Sequence, residues 1–550
     1  MALIERAGDG RTPWGVIAAW IVAVACAPDD RMAGSLDPNS EVEVVAQIGP
    51  AEGVRSVDIL VVVDDSATMV EEQSLVGRSF APLVDLLEAP DVGASYRIAV
   101  TTTDVGNPLC DAAAAERGAF VSSSCSARVG DFVSADGRDG SAPGCLDHCG
   151  ASAVEILPTT TAFDAVPAPR PWIERVDCTT NLAGISTADA LACIGPQGVA
   201  GCRFESPLEA MYQALLRTMT PGDPQFGFLR EHATLFVLLL TDGTDCSHRD
   251  EHEGIFLPAE QGGTPVFWSD PEAVESTRAV CWNAGVRCEG DGDPYDACTP
   301  TNASIDGEFG VPDEDAVLHP VSRYVELLRQ IEDSKRHIAT EPAVVVSLVS
   351  GVPQGYDGEM VYMRSADPIE EAEFGIGPGC TYDDGDPSTP LVIAHPPVRE
   401  KAVVNAFVGD ELRIHSMCQG DGYDETLAPL VETIRDILIP LCMPACVADL
   451  SPEVPGLQPR CTLREEAPHV ETGEVHEQII LPCATGGTLP DGEDICFVEL
   501  AGEQGFCAER GWNLEFQLVR REGRCRHDGT RIFATCSASL EPDVDCPDLP

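Results

Sequence analysis

Lysine is almost missing from this 550-residue chain. Only Lys335 and Lys401 are present, and neither follows a glycine. A phosphate-cradling G-x-x-x-x-G-K-[ST] loop is therefore excluded, and with it nucleotide binding of that kind. Positive charge as a whole is scarce: 34 Lys and Arg face 91 Asp and Glu, for a net charge of −57. Such a field repels nucleic acid and anionic lipid headgroups, and it favours solubility and cation binding. Neither an H-E-x-x-H helix nor a G-x-S-x-G nucleophile elbow occurs. No enzyme signature remains, and no covalent chemistry is expected; a hydrolase whose grouping forms only in three dimensions stays as an alternative. Past the N-terminus no apolar run reaches the roughly 20 residues that a spanning helix needs.

Cysteine, by contrast, is plentiful at 23 residues. Arg6 and Arg11 precede an apolar segment over 14–25, which ends in Ala23-Val24-Ala25-Cys26. This pattern resembles a bacterial lipoprotein signal (residues 1–26), cleaved before Cys26 with lipid on its sulfur. An ordinary cleaved signal, leaving Cys26 as a spare thiol, is the alternative. Setting Cys26 aside leaves 22 cysteines. An even count in an exported chain suggests a disulfide framework. The expected location is the bacterial cell envelope, as an outer membrane lipoprotein facing the periplasm or the exterior. Its membrane contact would be the lipid anchor alone.

Taken in order, residues 27–54 read as a tether rich in Asp, Ala, Pro and Gly. Residues 57–63 form an almost wholly apolar run, with only Asp58 near its start, which fits a parallel strand covered on both faces. An amphipathic helix follows over 70–88, then a strand over 96–102. Residues 104–201 lose periodicity and read as an insertion stapled by disulfides, with a short edge strand near 119–122. Ser206-Pro207-Leu208-Glu209 starts a helix by its capping-box pattern. A second wholly apolar strand covers 233–240. A second insertion, 247–312, carries the acidic turn of Glu289, Asp291, Asp293 and Asp296. That turn lacks the Gly and Glu of an EF-hand and reads as solvated. A helix around 321–331, strands at 343–349 and 412–417, and a helix over 426–441 complete the alternation. It predicts a doubly wound, mostly parallel α/β sheet over 55–442. Residues 443–550 read as a small β-rich, cysteine-rich C-terminal domain.

The strand at 57–63 runs into Asp64, Ser66 and Thr68, spaced two apart so that their side chains point the same way. Three hard oxygen donors at a strand end suit Mg²⁺, Mn²⁺ or Ca²⁺ and not Zn²⁺. A polar turn in which Asp64 and Ser66 merely cap the next helix is the structural alternative.

Asp64-x-Ser66-x-Thr68-Met69 resembles the D-x-S-x-S-M metal-ion-dependent adhesion site (MIDAS) of von Willebrand factor A domains. Thr68 replaces the second serine and keeps its hydroxyl. The missing phosphate loop sets the chain apart from that family's ATP-driven relatives. The resemblance implies a Rossmann-like sheet of strand order 3-2-1-4-5-6, reversing between the strands at 57–63 and 233–240. Ligands bind at such reversals. Thr241-Asp242-Gly243 resembles the family's T-D-G loop, whose aspartate contacts the metal, with Asp245 expected as its support. The family's third element is a threonine, but the corresponding stretch, Gly201-Cys-Arg-Phe-Glu205-Ser206, has none. Glu205 or Ser206 offers oxygen instead, and a glutamate there lowers the appetite for an acidic ligand. The implied function is adhesion or assembly: a bound divalent cation, Mg²⁺ foremost, accepts a carboxylate from a partner protein. A structural envelope lipoprotein with a degenerate site is the competing implication.

Overall fold

In the computed structural model, the apolar run after residue 55 forms the centre of a seven-stranded sheet. The structure describes residues 43–48, 56–89, 92–335 apart from 111–114 and 136, 343–383, 392–407, 413–418, 431, 434, 441–468, 475–501, 506–509, 511–521 and 530–546. The lipidation candidate Cys26 and most of the helix expected over 426–441 lie outside these residues.

Strand β1 is Glu43–Gln47, β2 is Ser56–Val63 and β3 is Ser95–Thr102. A hairpin, β4 (Thr159–Thr161) and β5 (Asp164–Ala168), precedes β6 (Ile173–Val176) and β7 (Thr179–Thr180). Strand β8 is Thr234–Leu240. A second hairpin, β9 (Val286–Glu289) and β10 (Ala297–Pro300), comes before β11 (Val344–Ser350). A third, β12 (Cys380–Tyr382) and β13 (Val392–Ala394), comes before β14 (Ile414–Ser416). The main sheet runs β14-β11-β8-β2-β3-β6-β7. Its first five strands pair in parallel, while β6 and β7 pair antiparallel at the edge.

Every residue of β2 is buried, because helices cover both sheet faces. Ile59, Val61 and Val63 pack with α1 (Glu72–Glu88) and α2 (Thr187–Ile194). Leu60 and Val62 pack with α3 (Pro207–Met219) and, further along the same core, α5 (Val321–Ser334). The shorter helices are α4 (Ala279–Gly285), α6 (Pro368–Phe374) and α7 (Val398–Asn405). Alternate side chains of a strand point to opposite faces, so a strand sandwiched in this way is mostly apolar, here unbroken from Ile59 to Val63.

Three expectations need correction. No strand forms at 119–122: Val121 makes a single backbone bond to Val100, and Phe120 turns into the core against Phe228 at 5.0 Å. The antiparallel edge is instead formed by β6 and β7, and Glu174 of β6 is buried against Arg97. The capping box at Ser206 does not form. The amides of Leu208 and Glu209 bond Asp245 Oδ1 at 3.3 Å and Ser247 Oγ at 2.9 Å, while the Glu209 carboxylate turns to Gln213 and Arg323. The stretch read as a tether contains β1, which pairs antiparallel with a strand near the far end of the chain.

That partner belongs to a second sheet. Its strands are β15 (Leu441–Cys442), β16 (Cys461–Pro468), β17 (Val475–Pro482), β18 (Ile495–Ala501), β19 (Leu514–Arg520) and β20 (Arg531–Ser537), in the order β1-β20-β16-β17-β18-β19-β15. Leu463, Ile480, Phe497, Phe516, Leu518 and Ile532 form a core of its own. Cys442–Cys507, Cys446–Cys546, Cys461–Cys536 and Cys483–Cys496 staple it. Among the described residues, further disulfides staple the first sheet's part of the chain, including Cys110–Cys202, Cys149–Cys193 and Cys246–Cys281 around the insertions and Cys380–Cys418 beyond them.

Candidate metal centre

The loop after β2 is held from several sides. Asp64 takes up the sheet pattern by donating its amide to Leu240 O, and Ser66 N bonds back to Asp64 Oδ1 at 2.8 Å. Such an aspartate turn leads into one tight helical turn, Ala67–Val70. Gln73 on α1 donates to Asp64 O at 2.7 Å, and Thr241 Oγ1 donates to Asp64 Oδ2 at 2.7 Å. The hydroxyls of Ser66 and Thr68 lie 2.9 Å apart, and Thr68 Oγ1 donates to Asp242 Oδ1 at 3.1 Å. Asp64 and Thr68 thus meet the loop after β8 directly, and the Ser66 hydroxyl joins them through Thr68.

That second loop is fixed by Thr241 N bonding Val349 O and by His395 N bonding Asp242 O. Gly243 lets the Glu205 carboxylate approach closely: a Cβ there would stand 2.8 Å from Glu205 Oε2 and would push that carboxylate aside. The third loop brings in Glu205, anchored by Cys246 N bonding Glu205 O and by Ser206 N bonding Thr103 O. One carboxylate oxygen from each of Asp64, Glu205 and Asp242 lies within 4.8 Å of the others, and all three residues are buried. Ser206 donates its hydroxyl to Phe204 O at 3.4 Å, and Glu205 is the residue of that loop in the cluster.

The electrostatics are those of carboxylates crowded out of water. Burial pushes the Asp242 carboxyl up to about 8, and the adjacent Asp64 charge adds to the rise. Burial also raises Asp64, partly offset by its bonds to Ser66 and Thr241. Glu205 is raised well above the usual carboxylate range by burial, then by Asp64 and Asp242, against the opposing pull of Arg278. Glu205 Oε1 accepts no hydrogen bond among the described residues; its nearest cation is Arg278 Nε at 3.5 Å. A buried carboxylate oxygen without a donor is costly unless a cation meets it. The donors are hard oxygens throughout, with no imidazole or thiolate in the group. They fit Mg²⁺, Mn²⁺ or Ca²⁺.

Asp245 stands outside this cluster. Its Oδ1 receives Leu208 N and Ser247 Oγ, and its Oδ2 receives Arg399 Nε at 2.9 Å. It fixes the start of α3 just after Glu205 and touches neither Asp242 nor Asp64 by hydrogen bond among the described residues. The turn of Glu289, Asp291, Asp293 and Asp296 is exposed and forms no converging carboxylate group among the described residues. Cys125, Cys145 and Cys149 also lie close together, but disulfides to one another and to Cys193 account for their sulfurs.

Two residues of the site carried no sequence signal. Glu72, at the start of α1, is buried with Oε2 unbonded; burial raises it, and the charge of Asp242 raises it further. Arg278 comes from the second insertion, where nothing local marks it. The disulfide Cys246–Cys281 carries its segment to the Asp242 loop.

No family model matches the chain, and no curated protein matches it. Among solved structures, two crystal forms of the pilus adhesin SpaC from Lactobacillus rhamnosus GG are similar at 11% and 12% identity. They cover 91% and 92% of this chain and 42% and 44% of theirs, with TM-scores of 0.26 and 0.27. The chain thus spans less than half the length of those adhesin structures. A von Willebrand factor type A protein from Catenulispora acidiphila is similar at 10% identity over 91% of this chain and 67% of its own, with a TM-score of 0.22. Superpositions this loose carry no weight for fold or function, which rest on the geometry above.

Proposed function

We propose that this chain is a von Willebrand factor A-like protein of the cell envelope that binds a partner protein through a divalent cation. Asp64, Ser66, Thr68, Asp242 and Glu205 would hold the cation. The observation that carries this reading is the convergence of three buried carboxylates from three separate loops, with one oxygen of Glu205 left without a donor. The strand order adds support: with β6 as third strand, β6-β3-β2-β8-β11-β14 follows the 3-2-1-4-5-6 order of a doubly wound sheet. The three loops then lie at the carboxyl edge, at the reversal between β2 and β8.

The cation, when bound, supplies an open coordination position for a carboxylate of the partner. The chain's own residues do the rest. Thr241 and Ser66 N hold the Asp64 carboxylate in one orientation, and Thr68 does the same for Asp242. Burial keeps bulk water from competing for the donors. The role is adhesion or assembly, without covalent chemistry. Cys26 would carry the lipid anchor, and the disulfide framework fits an oxidising compartment.

Isothermal titration of the wild type and Asp64→Ala with Mg²⁺, Mn²⁺ and Ca²⁺ tests the reading. Wild type should bind at least one of these, and the variant should lose that binding. A wild type that binds none leaves a structural envelope protein with a silent site.

A further inference from the structure

Glu205 poses a charge problem. A dication held by Asp64, Asp242 and Glu205 carries one net negative charge, and a partner carboxylate is then repelled. Arg278 stands where that charge would be cancelled. Its Nε lies 3.5 Å from Glu205 Oε1 and also donates to Arg203 O at 2.9 Å, while Nη1 lies 3.6 Å from Glu373 Oε1 on α6. Its guanidinium is 5.2 Å from the Phe374 ring centroid, and the side chain is 13% exposed.

The placement is built in. Arg278 caps α4, whose Cys281 is bonded to Cys246, and Cys246 N in turn holds Glu205 O. Thr277 Oγ1 donates to Ala372 O at 2.7 Å, which ties the same segment to α6. A guanidinium keeps its charge at any working pH and is weakly hydrated, so it can be buried beside carboxylates. Acidic residues far outnumber basic ones in this chain, and here an arginine is held by a disulfide-linked segment against the third carboxylate of the cluster.

We infer that Arg278 sets the charge of the centre: it offsets the third carboxylate, Glu205, so that the loaded site is less negative and admits an anionic ligand. This inference rests on the metal-binding reading above. Arg278 is a positioning and specificity residue, and no ligand of the cation. It works in two directions. Its charge repels the cation and weakens cation binding, and it attracts the carboxylate that follows. The Glu373 carboxylate on α6 shares the guanidinium and moderates both effects.

The test is titration of the full chain with Mn²⁺, alone and with acetate as a carboxylate probe, for wild type, Arg278→Gln, Arg278→Lys and Glu373→Gln. In wild type, acetate should tighten Mn²⁺ binding. Arg278→Gln should bind Mn²⁺ about tenfold more tightly and lose the acetate effect. Arg278→Lys, which keeps the charge, should restore both. Glu373→Gln, on a partly exposed side chain, should weaken Mn²⁺ binding about threefold and guards against misfolding of the arginine variants. Equal Mn²⁺ affinity and an equal acetate effect in wild type, Arg278→Gln and Glu373→Gln overturn the inference and leave the metal site standing. Mn²⁺ uptake by none of the four proteins overturns the metal reading and this inference together.

Discussion

Strand β2 carries a buried aspartate near each end, and the two live in opposite circumstances. Asp58, near the amino end, is fully matched: Arg230 N and Nε donate to its two oxygens at 2.7 and 2.8 Å, and Lys335 Nζ lies 3.8 Å away. Lys335 is itself bonded to the carbonyls of Arg230 and Ala233. Asp64, just past the carboxyl end, faces Asp242 and Glu205, and the nearby Arg278 is drawn towards Glu205 and Glu373. The same residue type on the same strand is thus a structural staple at one end and an under-neutralised donor at the other. Burial alone therefore does not mark a functional carboxylate; the shortage of positive partners does.

The contrast can be broken most sharply by deleting Asp58. Asp58→Ala strips the buried Lys335 and Arg230 of their anion, and urea unfolding should show a loss of about 3–5 kcal/mol. Asp64→Asn, at the other end, should cost less than about 1 kcal/mol without cation, because it relieves like-charge crowding while keeping shape. Equal losses would erase the distinction between the two ends.

The next effect is linked to pH. The folded-state value of Asp242, about 8, lies above its ordinary 3.8. Between those values the folded chain holds a proton that the unfolded chain has released, so stability falls as pH rises. Cation-free protein should unfold at progressively lower urea from pH 5 to pH 8. Saturating Mg²⁺ should remove that slope and, at a hundredfold excess over its dissociation constant, add about 2.7 kcal/mol. A slope that persists unchanged with Mg²⁺ would place its source elsewhere. The smallest effect sharpens the contrast from outside: Asp291→Asn, in the exposed acidic turn, should shift stability by less than about 0.5 kcal/mol and leave Mn²⁺ affinity unaltered in titration.

How much of this was legible beforehand follows from where each signal is stored. Strands β2, β8 and β11 were readable because burial on both faces demands long, nearly unbroken apolar runs. The Asp64 and Asp242 loops were readable because their donors sit within a few residues of those strand ends. Strand β6 was not, since its Ile-Glu-Arg-Val stretch holds two charges whose partners include groups far away in sequence: Arg97 for Glu174, and Ala94 O for Arg175. The cap of α3 misled because Ser206 and Glu209 form a good local pattern, while Asp245 and Ser247 cap from across the fold. β1 escaped because its partner β20 lies at the far end of the chain. Arg278 escaped because a disulfide, not local sequence, delivers it.

The central claim is that Asp64, Asp242 and Glu205 hold a divalent cation. A crystal of the full chain grown with Mn²⁺ and measured for anomalous scattering tests it most directly. The account predicts a manganese peak within coordination distance of oxygens from Asp64 or Ser66 and from Asp242 or Glu205, absent in Asp64→Ala. Manganese bound only elsewhere, or no peak at pH 7 with the three carboxylates ordered, would contradict it.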